Sequence, residues 1–108
     1  MTDRISAISE TSMQLLTQEI REKLPPLHGT QGTEDSIAVV KYFHPCSNWT
    51  FYAVEFDQVD TFFGLVIGYE RELGYFSLNE LESIGKKGST LPIERDLYWT
   101  PTPLSQCR

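Results

Sequence analysis

Apolar side chains concentrate in two neighbouring runs, residues 49–56 and 61–67, where Trp49, Phe51, Tyr52, Val54, Phe56, Phe62, Phe63, Val66 and Ile67 are aromatic or β-branched. Such residues pack well on a pleated surface, so the runs are expected to be the arms of a β-hairpin that closes around residues 57–60. With Phe56 opposite Thr61, the same register sets Val54 by Phe63, Tyr52 by Leu65 and Thr50 by Ile67, and that face reads as core. Side chains alternate along a strand, so the other face carries Trp49, Phe51, Ala53, Glu55 and Asp57 on one arm and Phe62, Gly64, Val66 and Gly68 on the other. Trp49 then sits across from Gly68, and Ala53 across from Gly64. This second face is shallow in its middle. It is either a weak stretch of sheet that Trp49 covers beneath a helix or the C-terminal tail, or an apolar groove for a ligand or peptide, with Trp49, Phe51, Glu55, Gly64 and Gly68 as its candidate residues.

The flanking segments carry local stop and start signals. Thr17 has the character of an N-cap before a helix over residues 18–24, with Ile20 and Leu24 on one face, and Pro25 and Pro26 end it. Residues 27–35 read as a solvated loop and residues 37–43 as a strand bounded by Pro45. Ser77 and Glu80 form a capping box for a second helix over 78–84, with Leu78, Leu81 and Ile84 on one face and Gly85 as the stop. Residues 91–99 read as extended before Pro101 and Pro103. The expected fold is α+β: a small antiparallel meander of three to five strands with a short N-terminal helix and a second helix near 78–84. The expected organisation is a tail over 1–15, one domain over 16–104 and a short tail over 105–108.

A length of 108 residues with 40% hydrophobic content suits one core. No apolar run approaches the roughly 20 residues of a membrane helix, and the first residues lack a secretory pattern. The expected location is the cytoplasm, where Cys46 and Cys107 would remain thiols. The net charge is −6 and the nine Lys and Arg are scattered, which disfavours general attraction to phosphate backbones.

Several blocks in order carry a resemblance: Lys23 to Pro26 with Leu27, Ile37 to Lys41, Ser47-Asn48-Trp49-Thr50, Glu55-Phe56-Asp57, the run from Thr61 to Gly68, Glu72 to Ser77, Leu91 to Asp96, and Thr102-Pro103-Leu104. Together they resemble the bacterial domain of unknown function DUF2958 over residues 16–104. The resemblance implies a context among accessory proteins of plasmids and integrative elements, and it brings no catalytic residues with it.

The remaining chemistry is sparse. Glu55, Asp57 and Asp60 are weighed as oxygen ligands for a hard cation and, at 57 and 60, as ordinary turn residues. His44 and Cys46, with His28 and Cys107 elsewhere, are weighed as zinc ligands or as a thiol and its base. Lys86 and Lys87, in a glycine-flanked turn after the second helix, are the candidate nucleic-acid contacts. No cofactor is implied. The favoured reading is a non-catalytic protein-binding module with a protein partner and no membrane role. The alternatives are a nucleic-acid-binding or DNA-mimicking protein, and a small metal-dependent or thiol hydrolase. A long exposed strand edge would invite dimerisation, so monomer and homodimer both stay open.

Overall fold

The computed structural model describes residues 14–30, 32, 34–86, 88 and 90–107. Helix α1 spans Gln18–Lys23, and the Thr17 hydroxyl accepts from Ile20 N–H at 3.2 Å to cap it. Strands β1 (Ile37–Ala38), β2 (Val40–Phe43), β3 (Thr50–Phe56), β4 (Thr61–Ile67) and β5 (Arg71–Ser77) follow. Helix α2 (Leu78–Ser83) starts directly from β5, with the Ser77 hydroxyl accepting from Glu80 N–H. Strands β6 (Glu94–Arg95) and β7 (Thr102–Pro103) and a 3₁₀ turn, Leu104–Gln106, complete the described chain. The fold is therefore α+β. Five strands form an antiparallel sheet in the order β5-β4-β3-β2-β6, so the chain crosses from one edge to the other through α2, while β1 and β7 pair separately.

The hairpin register agrees with expectation through its first half, Thr50 with Ile67, Tyr52 with Leu65 and Ala53 with Gly64, and then slips. Val54 has no partner: Glu55 pairs with Phe63 and Phe56 with Phe62, in place of the expected pairs Val54 with Phe63 and Phe56 with Thr61. This is a β-bulge, and one extra residue exchanges the faces of everything beyond it. Phe56 moves to the side of Phe51, and Glu55 leaves it.

The larger core lies on that side. Val40, Tyr42, Phe51, Ala53, Phe56, Phe62 and Phe76 face Leu15, Leu16, Leu24, Leu78, Leu81 and Ile93. Helix and N-terminal segment thus cover the face that had been expected to be shallow. Residues 1–13, within the expected tail, lie outside the described residues; Leu15 is buried, and its carbonyl accepts from the Tyr42 hydroxyl at 2.7 Å. The opposite face holds a smaller cluster of Ala38, Tyr52, Leu65 and Cys107, closed by Trp99, whose indole N–H donates to the Ala38 carbonyl at 3.0 Å. Among the described residues, no helix is long and apolar enough to cross a membrane.

Past the bulge, β3 outruns its pairing with β2. The turn after α1 takes that place: Phe56 N–H donates to the Pro25 carbonyl at 2.9 Å. The bulge itself depends on close backbone approach, because a Cβ at Gly64 would lie 1.8 Å from the Tyr52 carbonyl oxygen, whereas one at Gly74 would meet nothing within 4 Å. Gly64→Ala is therefore expected to lower the unfolding free energy by more than about 2 kcal/mol. Gly74→Ala should be neutral or stabilising by up to ~1 kcal/mol. Urea denaturation of the two variants beside the parent checks the contrast, and equal losses would contradict it.

Candidate functional site

Six aromatic rings run in sequence across the larger face, each within about 6 Å of the next. Phe56 stacks on Phe62 with centroids 4.6 Å apart, Phe62 on Phe76 at 5.1 Å, and Phe76 tilts against Phe51 at 5.3 Å. Phe51 stacks on Trp49 at 6.1 Å, and Trp49 meets Tyr69 edge-on at 5.9 Å. These separations are those of aromatic pairs that gain beyond simple burial. The series begins in the closed core and ends outside it: Phe56 is fully buried, Trp49 is 39% exposed and Tyr69 97% exposed.

Local geometry sets Trp49 at this position. Its carbonyl accepts from His44 N–H at 3.0 Å and its own N–H donates to the Ser47 hydroxyl at 3.2 Å, closing the turn between β2 and β3. Its six-membered ring then lies across Gly68, where a Cβ would come within 2.5 Å of the indole carbons. Beyond the ring, a groove of about 460 Å³ is walled by Trp49, Phe51, Ile84 and Ile93, with His44, Ser47 and Thr90 at its rim. The far wall belongs to the loop after α2, which Gly85, at φ +91°, folds back against Pro92. His44 Nε2 and the Thr90 hydroxyl, 2.8 Å apart, tie that loop to the β2–β3 turn.

Trp49, Phe51 and Gly68 of the candidate residues are thus brought together. The other two are elsewhere. Gly64 lies within the sheet at the bulge, and Glu55 is turned to the opposite side, where its buried carboxylate accepts from His28 N–H at 2.7 Å, Thr30 N–H at 2.9 Å and the Thr30 hydroxyl. Lys86 is exposed in the turn after α2, and Lys87 lies outside the described residues. His44, Ile84, Thr90, Ile93 and Tyr69 complete the site without having been assigned to it from sequence. Only Tyr69 carried a signal, as the neighbour of the glycine under Trp49.

The acids at the hairpin end are engaged by the chain itself. Asp57 Oδ1 accepts from Val59, Asp60 and Thr61 N–H groups at 2.8, 2.8 and 3.0 Å, and these bonds hold its carboxyl below the usual range. Asp60 accepts from the Asn79 N–H at 2.7 Å and the Ser77 hydroxyl at 2.5 Å, seating α2 on the turn. Among the described residues, no three of His, Cys, Asp and Glu converge as a metal site. His44 is equally committed. Cys46 N–H donates to its Nδ1 at 3.2 Å, so the neutral ring carries its proton on Nε2 and gives it to Thr90. Neither nitrogen is left as a base for the Cys46 thiol.

A family model described as Protein of unknown function (DUF2958) matches residues 9–107. No curated protein and no solved structure matches the chain.

Glu55 supplies a test of the hairpin's support. Burial raises its pKa, but the Thr30 hydroxyl and the N–H groups of Thr30 and His28 outweigh burial and hold the carboxyl below its ordinary 4.5. A carboxyl depressed on folding stabilises fully above its unfolded value and loses that contribution as pH falls through the folded one. Glu55→Gln places an amide donor among three donors and should lower stability at pH 7 by about 1–3 kcal/mol. The gap to the parent should close on acidification below about pH 4.5. Denaturant titrations across pH check this, and a pH-independent gap would contradict it.

Proposed function

The chain belongs to the DUF2958 family, and on that footing we propose that it is a non-catalytic protein-binding module that takes an apolar side chain of a partner protein into the groove beside Trp49. The observation that carries this reading is the ring series itself. A core that ends in a half-exposed indole and an exposed phenol, next to an apolar groove, has the composition of an interface centre: aromatic anchors, low charge and a polar rim. The rim is supplied by His44, Ser47 and Thr90.

The wider setting, an accessory protein of a bacterial mobile element working in the cytoplasm, rests on the family resemblance, and two free thiols, Cys46 and Cys107, accord with a reducing compartment. Direct nucleic-acid binding has less support. A net charge of −6 opposes it, and Lys86 is a single described cation in its turn. A thiol hydrolase has less still, because His44 is occupied at both nitrogens.

Selection from a displayed library of random peptides against the immobilised full chain tests the reading. Recovered peptides are expected to share an aromatic or branched aliphatic anchor and to bind Trp49→Ala at least tenfold more weakly, a loss of about 1.4 kcal/mol. They should bind Lys86→Ala unchanged. Peptides that bind Trp49→Ala as well as the parent, or no enrichment over an unrelated acidic control protein, would remove the groove as the site.

A further inference from the structure

The two edges of the large sheet are built differently. At one, β6 has only two residues, follows Pro92, and has the Arg95 guanidinium donating to the Gln14 carbonyl at 2.9 Å. A short, anchored edge of this kind is a poor template for another strand. At the other, β5 presents seven residues with no proline and no irregularity in its pairing with β4. Among the described residues, no backbone hydrogen bond from outside the sheet reaches β5 before Ser77, whose carbonyl opens α2.

One face of that edge is also uncovered. The C-terminal segment lies over Tyr52, Leu65 and Ile67, held by Arg71, whose guanidinium donates to the carbonyls of Cys107 and Leu104 at 2.8 and 3.2 Å. Beyond it, Leu73 and Tyr75 are 61% and 57% exposed, and Tyr75 tilts against Phe63 at 5.1 Å.

We propose that this edge is where two copies of the chain meet, β5 pairing with β5 antiparallel about a two-fold axis at Gly74, to join two five-stranded sheets into one. The strand's own sequence selects a second copy over other occupants. Gly74 is its midpoint, so pairing there matches all seven residues, and Leu73 falls opposite Tyr75 of the second copy twice over. Arg71 falls opposite Ser77 and Glu72 opposite Phe76, so no like charges face each other. A register centred on Glu72 would oppose two carboxylates. Arg71 and Glu72 are the only charges of β5 and cancel, on a chain of net −6. Two acidic molecules therefore approach along the strip where neither carries excess charge, while a basic or acidic ligand finds nothing complementary. An interface of one strand pair and four apolar side chains belongs to the small, concentration-dependent class.

Sedimentation equilibrium of the full chain is expected to show a reversible monomer–dimer exchange. Leu73→Lys and Tyr75→Lys, both at exposed positions, should each raise the dissociation constant at least tenfold, and Trp49→Ala should leave it unchanged, which separates this edge from the groove. In a Cys46→Ser background, Gly74→Cys should form an intermolecular disulfide on mild oxidation, since opposed Cβ atoms lie roughly 4.5–5.5 Å apart in such a pair. Glu80→Cys, on the exposed side of α2, should not. A chain monomeric up to its solubility limit, or a dimer indifferent to both lysines, overturns the pairing. A dimer that fails to cross-link through position 74 overturns the two-fold at Gly74.

Discussion

Between Tyr52 and Gly64 two backbones approach more closely than any side chain at position 64 would permit, and the rest of the sheet is arranged by what happens there. The extra residue, Val54, shifts β3 by one position against β4. Phe56 then joins Phe51 on the larger core face, where burial of a ring is worth about 1.5–3 kcal/mol. In an unbroken register it would have fallen on the side of Tyr52 and Trp99. The same shift sends Glu55 to the opposite face. There it orders residues 28–30 through three hydrogen bonds, with His28 held at a left-handed φ of +68°. Helix α1 is joined to this arrangement through Arg21: its guanidinium lies 5.3 Å over the Phe56 ring and donates to the Gln58 carbonyl at 3.3 Å, and the Gln58 amide donates to the Arg21 carbonyl at 3.0 Å. One unpaired residue thus decides which side chains form the core and which loop supports it.

The ring series that the bulge completes also explains why Trp49 can stand half in water without being loose. Its neighbours inward are all buried, and its own ring is set against the bare backbone at Gly68. A rigid aromatic with one covered and one open side needs little further ordering to receive a ligand, which is what makes such residues effective anchors. The groove in front of it is bounded by a loop tied back through His44 and Thr90, so its walls come from two parts of the chain held at a fixed spacing.

Local chemistry was the most legible part of the sequence. The caps at Thr17 and Ser77 act within four residues and sit where their spacing put them, and the pairing of residues 50–53 with 64–67 followed from the placement of aromatics and glycines. The bulge was hidden because residues 51–54 are all apolar: a run without polar alternation fits either face equally well, so a one-residue slip leaves no trace in the pattern. Strand β5 was hidden for the opposite reason. Arg71, Glu72, Leu73 and Tyr75 are exposed and Gly74 contributes no side chain, so an edge strand with one bare face resembles a loop. The groove was half legible. Trp49 and Gly68 lie across from each other in the hairpin, but Ile84, Thr90 and Ile93 arrive from a loop about 40 residues downstream, and nothing in the hairpin names them.

Exposed apolar side chains taken singly need no explanation, since most of any protein surface is apolar. Their grouping does. In this chain Val59, Ile37 and Leu91 are exposed at separate positions, whereas Trp49 goes with Tyr69, Leu73 with Tyr75, and Leu97 with Tyr98. The first group ends a continuous series of stacked rings, and the second borders a strand edge whose charges cancel. The third sits beside Lys41, Glu94, Arg95 and Asp96, where Lys41 pairs with Asp96 at 3.9 Å and lies over the rings of Tyr52 and Trp99. There Lys41, Asp96 and Arg95 already have partners within the molecule, and the Lys41 cation serves to close the smaller core. In the other two groups no cation lies over the exposed rings among the described residues, and most of the surface of Tyr69, Leu73 and Tyr75 stays in water although Trp49 rests on Phe51 and Tyr75 on Phe63. Stability alone does not select for large apolar side chains in that position, because each exposed ring loses the burial that would justify its size, whereas contact with a partner restores that burial.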